Sequence, residues 1–170
     1  MLKEISEKEF EDKVNIRFKN INEGFFRFNN KILKVNEECE EKYMISFMEQ
    51  AFDLNGEDNA YVDFYYNYID DEAKEKFEKL LCQEDKEFLE NFKNQCNDKG
   101  VYYRLSKDSI PFITRLNINE VLFCTIYFTK KPMTIWGNYN KKFPIFYDSE
   151  KVLELYDIIA KNNKLIIEQN

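Results

Sequence analysis

The chain has 170 residues, of which 44% are hydrophobic and 34% are charged, and its formal net charge is −7. A chain of this length can bury one core, and the apolar content is too high for a disordered protein. The negative charge argues against non-specific nucleic-acid binding, which relies on the neutralisation of phosphates. We therefore expect a single domain over residues 1–170 that folds without a metal or a disulfide.

The start of the chain indicates the compartment. Residues 1–13 carry acids where a signal peptide needs a basic stretch followed by an apolar one. No stretch approaches the roughly 18 consecutive apolar residues that span a bilayer. The sequence therefore predicts a cytoplasmic protein, in its own cell or in a host cell.

The first third of the chain contains signals for two helices separated by a hairpin. Ser6 followed by Glu9 is a capping-box pattern, which predicts a short helix over residues 7–14. Alternating apolar residues over 15–28 predict a first hairpin. Apolar residues at helical spacing then predict a helix over 36–54, which ends at an Asn-Gly turn signal.

The next stretch, residues 60–67, alternates in the manner of a strand. Tyr61, Asp63 and Tyr65 share one face of this strand, and we expect the opposite face to lie in the core. The face that carries the two tyrosines and Asp63 is a candidate wet surface.

A helical hairpin is predicted after this strand. Asp70 or Asp71 is expected to cap its first helix and Asp85 its second, because a carboxylate at a helix start accepts free backbone N–H groups. Together with the helix over 36–54, this hairpin forms an acidic helical segment, residues 36–98.

The C-terminal part of the chain has the character of a sheet. Short apolar or alternating runs predict strands over 101–105, 112–116, 121–129, 133–136 and 143–147. The run over 121–129 is the longest uncharged apolar stretch, so we expect it to be the central strand. Ser149 is expected to cap a final helix that ends near residue 161. Grouped helices and short turns favour an α+β fold with a largely antiparallel sheet, mostly in the C-terminal half, packed by about four to five helices.

The absence of one residue type and the wide spacing of two others exclude several kinds of catalytic and binding site. It contains no histidine, which removes Ser-His-Asp and Cys-His catalysis. Its four cysteines are far apart and form no CxxC pair, so we expect reduced thiols and no zinc site. Its four glycines are isolated, so no phosphate-binding glycine loop is present. The sequence predicts no catalytic residue, no metal and no cofactor.

The charge is distributed unevenly along the chain. Residues 1–35 carry eight Lys or Arg and six acids, residues 36–98 carry six and nineteen, and residues 99–170 carry eleven and seven. The acidic helical segment therefore has a net charge of −13. Within it, four acids with few basic neighbours form a candidate interaction cluster: Glu37, Glu38, Glu40 and Glu41.

Aromatic residues supply the other candidate contacts with a partner, since exposed aromatic rings are common binding hot spots. The first group is Tyr61 and Tyr65 with Asp63 between them, and the second is Trp136 with Tyr139. Basic residues in the sheet half, such as Arg104, Lys107 and Arg115, are candidates for contacting phosphate, although the net charge opposes this.

Three functions are compatible with these features. In size, charge and composition the chain resembles the small acidic immunity and antitoxin proteins of bacteria and the anti-CRISPR proteins of phages. That resemblance implies a non-enzymatic inhibitor that occludes a basic, nucleic-acid-handling protein partner and contacts neither nucleic acid nor membrane. The second hypothesis is a small enzyme that works without histidine, through carboxylates or a Lys-activated Ser or Cys such as Ser109, in a deep pocket. The third is a structural or assembly protein of a mobile element.

Overall fold

The computed structural model describes residues 1–35, 41–95 and 100–169. Within these ranges the helices are α1 (Glu7–Lys13), α2 (Ile21–Arg27), α3 (Glu41–Asn55), α4 (Asp71–Leu80), α5 (Gln83–Gln95), α6 (Ile110–Ile118) and α7 (Glu150–Asn162). The strands are β1 (Lys3–Glu4), β2 (Asn29–Lys34), β3 (Ala60–Asp63), β4 (Tyr102–Arg104), β5 (Ile126–Phe128), β6 (Met133–Ile135), β7 (Lys142–Tyr147) and β8 (Ile166–Glu168). None of the helices in these ranges is long and apolar enough to cross a membrane.

The eight strands form one sheet in the order β1-β4-β3-β5-β6-β7-β2-β8, and every neighbouring pair is antiparallel. Five of the eight strands follow residue 100. This confirms the predicted α+β fold with an antiparallel sheet drawn mostly from the C-terminal half.

One face of the sheet carries the main core. Helix α3 packs against α6 and α7. Phe64, which follows β3, is fully buried and contacts the rings of Phe92 on α5 and Phe112 on α6. These contacts hold the α4–α5 hairpin to the same face.

The other face of the sheet is covered by the N-terminal helices. Phe10 of α1 and Val14, which follows α1, pack with Tyr61 of β3 and Tyr127 of β5 in a smaller apolar cluster. Further along the same face, Phe18 and Phe25 contact the ring of Phe146 on β7. The face of the sheet that was expected to be exposed to water is therefore largely covered by these helices, and a cleft that remains open on it is described below.

The first predicted helix and the cap of α4 are confirmed. The Ser6 side chain accepts the Glu9 N–H at 3.1 Å, and the Asp70 side chain accepts the Ala73 N–H at 2.8 Å. Both are the capping bonds that the local patterns predict.

The hairpin predicted over 15–28 is wrong, because residues 21–27 form α2. The Asn20 side chain accepts the Glu23 N–H at 3.1 Å, and the Glu23 carboxylate accepts the Lys19 N–H at 3.0 Å. This reciprocal capping starts a helix where the apolar alternation favoured a strand.

The strand predicted over 112–116 is also wrong, since these residues lie in α6. Pro111 is in the first turn of that helix, where no N–H donor is required. Most of α6 is buried, and a helix buried on most of its surface has the same continuous apolar run as a buried strand.

The run over 121–129 is central in the sheet, but only residues 126–128 form strand β5. Asn117 of α6 binds the segment before it: its amide donates to the Cys124 carbonyl at 3.0 Å, and its oxygen accepts the Cys124 N–H at 2.8 Å. A helix side chain thus takes the place of a neighbouring strand over these residues.

Candidate functional site

A cleft of about 480 Å³ opens on the roofed face of the sheet, between α1, α2 and the strands beneath them. We call it the Asp63 cleft. Its lining residues are Glu7, Phe10, Glu11, Arg17, Phe18, Lys19, Glu23, Arg27, Asp63, Tyr65, Tyr102, Tyr127 and Trp136. A volume in this range is typical of sites that hold a small molecule.

Asp63 is the most unusual group in the cleft, because its side chain is an acid with only 5% of the residue exposed. One carboxylate oxygen accepts the Thr125 N–H at 2.5 Å, and the other accepts the Tyr127 hydroxyl at 3.1 Å. In the described chain, no cation forms an ion pair with this carboxylate. The charge is therefore stabilised by hydrogen bonds from Thr125 and Tyr127 and by no ion pair among the described residues.

Burial raises the pKa of Asp63 to about 6, although the hydrogen bonds from Thr125 and Tyr127 favour the charged form. Burial and the negative charge of Asp63 also raise the pKa of Tyr65 to about 12. Asp63 consequently changes charge just below neutral pH, whereas the tyrosine keeps its proton.

Aromatic rings form most of the apolar surface of the cleft. Tyr102 is stacked on Phe10 with ring centroids 3.8 Å apart and planes 9° apart. Trp136 is stacked on Phe18 at 5.3 Å, and Phe18 in turn contacts the ring of Phe146. These stacked pairs fix the ring positions, so the cleft is preformed.

Asp63→Asn is expected to abolish the part of the pH dependence of stability that the ionisation of Asp63 causes. The folded-state pKa lies above the unfolded value of 3.8, so the folded state binds the proton more tightly. The contribution of Asp63 to stability is full below pH 4, falls as the pH rises towards 6, and stays low above that. The free-energy difference between the wild type and the variant should change by about 2 kcal/mol between pH 4 and pH 7, measured by urea unfolding.

Asp71→Asn is the control for this measurement, because Asp71 is an exposed acid at the start of α4. It should leave the pH dependence of the wild type in place. If the free energy of unfolding of the wild type and of Asp63→Asn changed equally with pH, the expectation would be contradicted.

Three of the five residues in the predicted aromatic groups, Asp63, Tyr65 and Trp136, line the cleft. Tyr61 does not, because it is buried and its hydroxyl donates to the Asp58 carbonyl at 2.8 Å. Tyr139 is 61% exposed, lies outside the cleft and contacts the ring of Phe123.

The structure describes one residue of the predicted acidic cluster, and the role of the cluster in binding stays a prediction. Glu37, Glu38 and Glu40 lie outside the described residues. Glu41, at the start of α3, has its carboxylate 3.8 Å from Arg115 of α6.

The remaining acids of the acidic helical segment are mostly paired. On α4, Lys76 and Lys79 contact Glu72 and Glu75, each at 2.6 Å. Basic residues of the sheet half reach across to the segment as well: Arg104 pairs with Asp58, Lys107 with Asp53 and Arg115 with Asp85. These three basic side chains therefore offset part of the negative charge of the segment, and each binds a carboxylate of the same molecule.

Asp85 does not cap α5, which corrects the prediction. The helix begins at Gln83, and the Asp85 side chain is 4% exposed beneath Arg115. Arg115 also borders a second cleft of about 430 Å³, with Glu41, Cys82 and Glu84. Because three carboxylates already surround this arginine, the second cleft offers less free binding capacity than the first.

Ser109, the candidate nucleophile, has a structural role. Its hydroxyl donates to the Ser106 carbonyl at 2.7 Å and accepts the Ser106 N–H at 3.0 Å. The second of these bonds is half of a capping box before α6, in which the Ser106 side chain in turn accepts the Ser109 N–H.

Sequence reasoning missed the half of the cleft that the N-terminal region supplies. Arg17, Phe18 and Lys19 belong to the stretch predicted as a hairpin, and Tyr102 and Tyr127 were predicted only as strand residues. The alternation of residues along β4 and β5 could have predicted the position of the two tyrosines. Tyr103 and Ile126 enter the main core, so their neighbours Tyr102 and Tyr127 face the other side of the sheet. Nothing local predicts that these strands lie beneath Arg17.

Comparison of the chain with protein-family models, with curated proteins and with solved structures found no match. A function is therefore argued from the cleft alone.

Proposed function

We propose that this protein binds a small molecule in the Asp63 cleft and that the Asp63 carboxyl is the polar group that recognises it. The observation that carries the proposal is a buried carboxyl, without a cationic partner in the described chain, in a preformed aromatic cleft. Strongly perturbed acids of this kind concentrate at functional sites.

A purely structural role for Asp63 explains less. The Thr125 N–H and the Tyr127 hydroxyl need an acceptor, and a neutral asparagine oxygen would serve without the cost of burying a charge. An ionisable group in this position weakens the fold at neutral pH. A role in binding accounts for that cost, because the carboxyl can accept a hydrogen bond from a ligand or exchange a proton with it.

Among the three hypotheses that the sequence allows, this proposal supports the small enzyme that uses carboxylates. A general acid or base works best when its pKa lies near the working pH, and the pKa of about 6 at Asp63 meets that condition. Asp63 would then be the proton-exchanging group, with the Tyr127 hydroxyl as its hydrogen-bond donor.

The acidic inhibitor and the assembly protein stay predictions. For the inhibitor, the cluster that motivates it lies mainly outside the described residues, and the acids of α4 and α5 are largely paired within the molecule. The concentrated negative face that a basic partner would need therefore has less support than the cleft.

Binding in the cleft is tested by two-dimensional NMR of the full chain with mixtures of small, uncharged and charged aromatic fragments. Shift changes are expected to concentrate on Asp63, Tyr65, Tyr102 and Trp136. Glu11→Trp places an indole at an exposed position of the cleft lining, and it should weaken fragment binding by about tenfold or more because it occupies the opening.

Asp12→Trp is the matched control, since Asp12 is the exposed neighbour on α1 and does not line the cleft. It should bind fragments as the wild type does. Shift changes scattered over the surface, or equal fragment affinity in Glu11→Trp and the wild type, would refute the cleft as the binding site.

A further inference from the structure

The arginines of the chain differ in what they contact. Arg27, Arg104 and Arg115 each contact a carboxylate, namely Glu23, Glu9 and Asp85. Arg17 is the exception, for it contacts no carboxylate among the residues that the structure describes. Its one hydrogen bond to the protein there runs to the Val14 carbonyl at 2.7 Å, which caps the end of α1.

Arg17 is also placed to receive a ligand. It is half-buried, it lines the Asp63 cleft, and Phe18 beside it holds the stacked Trp136 ring. A guanidinium has five N–H donors, and only one of them is used by Val14. Carboxylates and phosphates match the remaining donors in paired geometry.

The cleft is lined by charges of both signs. Arg17 and Lys19 come from the segment between α1 and α2, and the Arg27 and Glu23 side chains of α2 neutralise each other. The opposing acids, Glu7 and Glu11 of α1 and Asp63 of β3, line the same cleft. A purely anionic ligand would meet these acids and a purely cationic ligand would meet Arg17, so the charge pattern favours a ligand that carries both.

We propose that the Asp63 cleft takes a small zwitterionic molecule with a planar apolar body, whose anionic group binds Arg17 and whose amino group binds the Asp63 carboxyl. The rings of Tyr65, Tyr102 and Trp136 contact the body between these two ends. This inference rests on the proposed function and adds the chemical class of the ligand.

Three probes of one shape test the ligand class: 4-(aminomethyl)benzoate, its carboxamide, which lacks the anion, and 4-methylbenzoate, which lacks the amine. The wild type should bind the zwitterion about tenfold more tightly than either of the others, because each charged hydrogen bond adds affinity. Dissociation constants come from NMR titration of the cleft resonances at pH 7.

Variants assign each end of the probe. Arg17→Gln should lose the preference for the benzoate over the carboxamide while keeping its affinity for the carboxamide. Asp63→Asn should lose the preference for the aminomethyl compound over 4-methylbenzoate. Lys13→Gln removes the same charge as Arg17→Gln from an exposed position outside the cleft and should bind all three probes as the wild type does.

The outcomes separate this inference from the proposed function. If all three probes bind in the cleft with equal affinity, or if Arg17→Gln keeps the preference for the carboxylate, the zwitterion assignment is overturned while the cleft stands as a binding site. If no probe or fragment binds in the cleft, both proposals fall.

Discussion

Arg115→Met is expected to lower the free energy of unfolding by about 3–5 kcal/mol, because it leaves the Asp85 carboxylate buried without its partner. In the native protein the Arg115 guanidinium binds both oxygens of Asp85, at 2.9 Å from Nε and 2.5 Å from Nη2. The same group lies within 4 Å of Glu41 and Glu84, so it joins the starts of α3 and α5 to α6. Urea unfolding at pH 7 measures the loss.

Two further variants make this prediction specific. Lys107→Met breaks the exposed pair with Asp53, whose side chains are each 56% exposed, and should cost less than about 1 kcal/mol. Adding Asp85→Leu to Arg115→Met removes the unpaired charge and should recover much of the stability. If Arg115→Met costs no more than Lys107→Met, the buried pair does not hold these helices together.

Phe64→Ala is expected to cost about 3–5 kcal/mol, since it empties the centre of the aromatic core. The Phe64 ring is fully buried and contacts Phe92 of α5 and Phe112 of α6 edge to face, at centroid distances of 5.3 and 5.7 Å. Thermal and urea unfolding should both report the loss.

Tyr65→Ala is the matched control, because it removes a ring from the next position in the chain. Tyr65 lies on the opposite face, is 41% exposed and lines the cleft, so its loss should cost about 1 kcal/mol or less. Equal costs for the two variants would mean that the two faces of this segment have been assigned wrongly.

Local sequence patterns predicted the elements whose signals are themselves local. The Ser6 and Asp70 caps and the Asn55-Gly56 turn depend on contacts between near neighbours. They required no knowledge of what packs around them.

Elements whose apolar runs fit both a helix and a strand were decided by the tertiary structure. Residues 112–116 lie in a helix that is buried on most of its surface, so their apolar run does not distinguish a helix from a strand. Residues 121–125 leave the sheet because Asn117, on another element, binds Cys124.

For the charged residues, too, some features follow from the sequence and others only from the tertiary structure. The sequence by itself determined the α+β class, the absence of histidine chemistry and an acidic middle segment. Only the tertiary structure paired that segment with Arg104, Lys107 and Arg115, because ion pairs depend on distances in space. It alone also brought Arg17 and Asp63, 46 positions apart in the sequence, to one cleft, since their strand and loop meet only when the N-terminal helices cover the sheet.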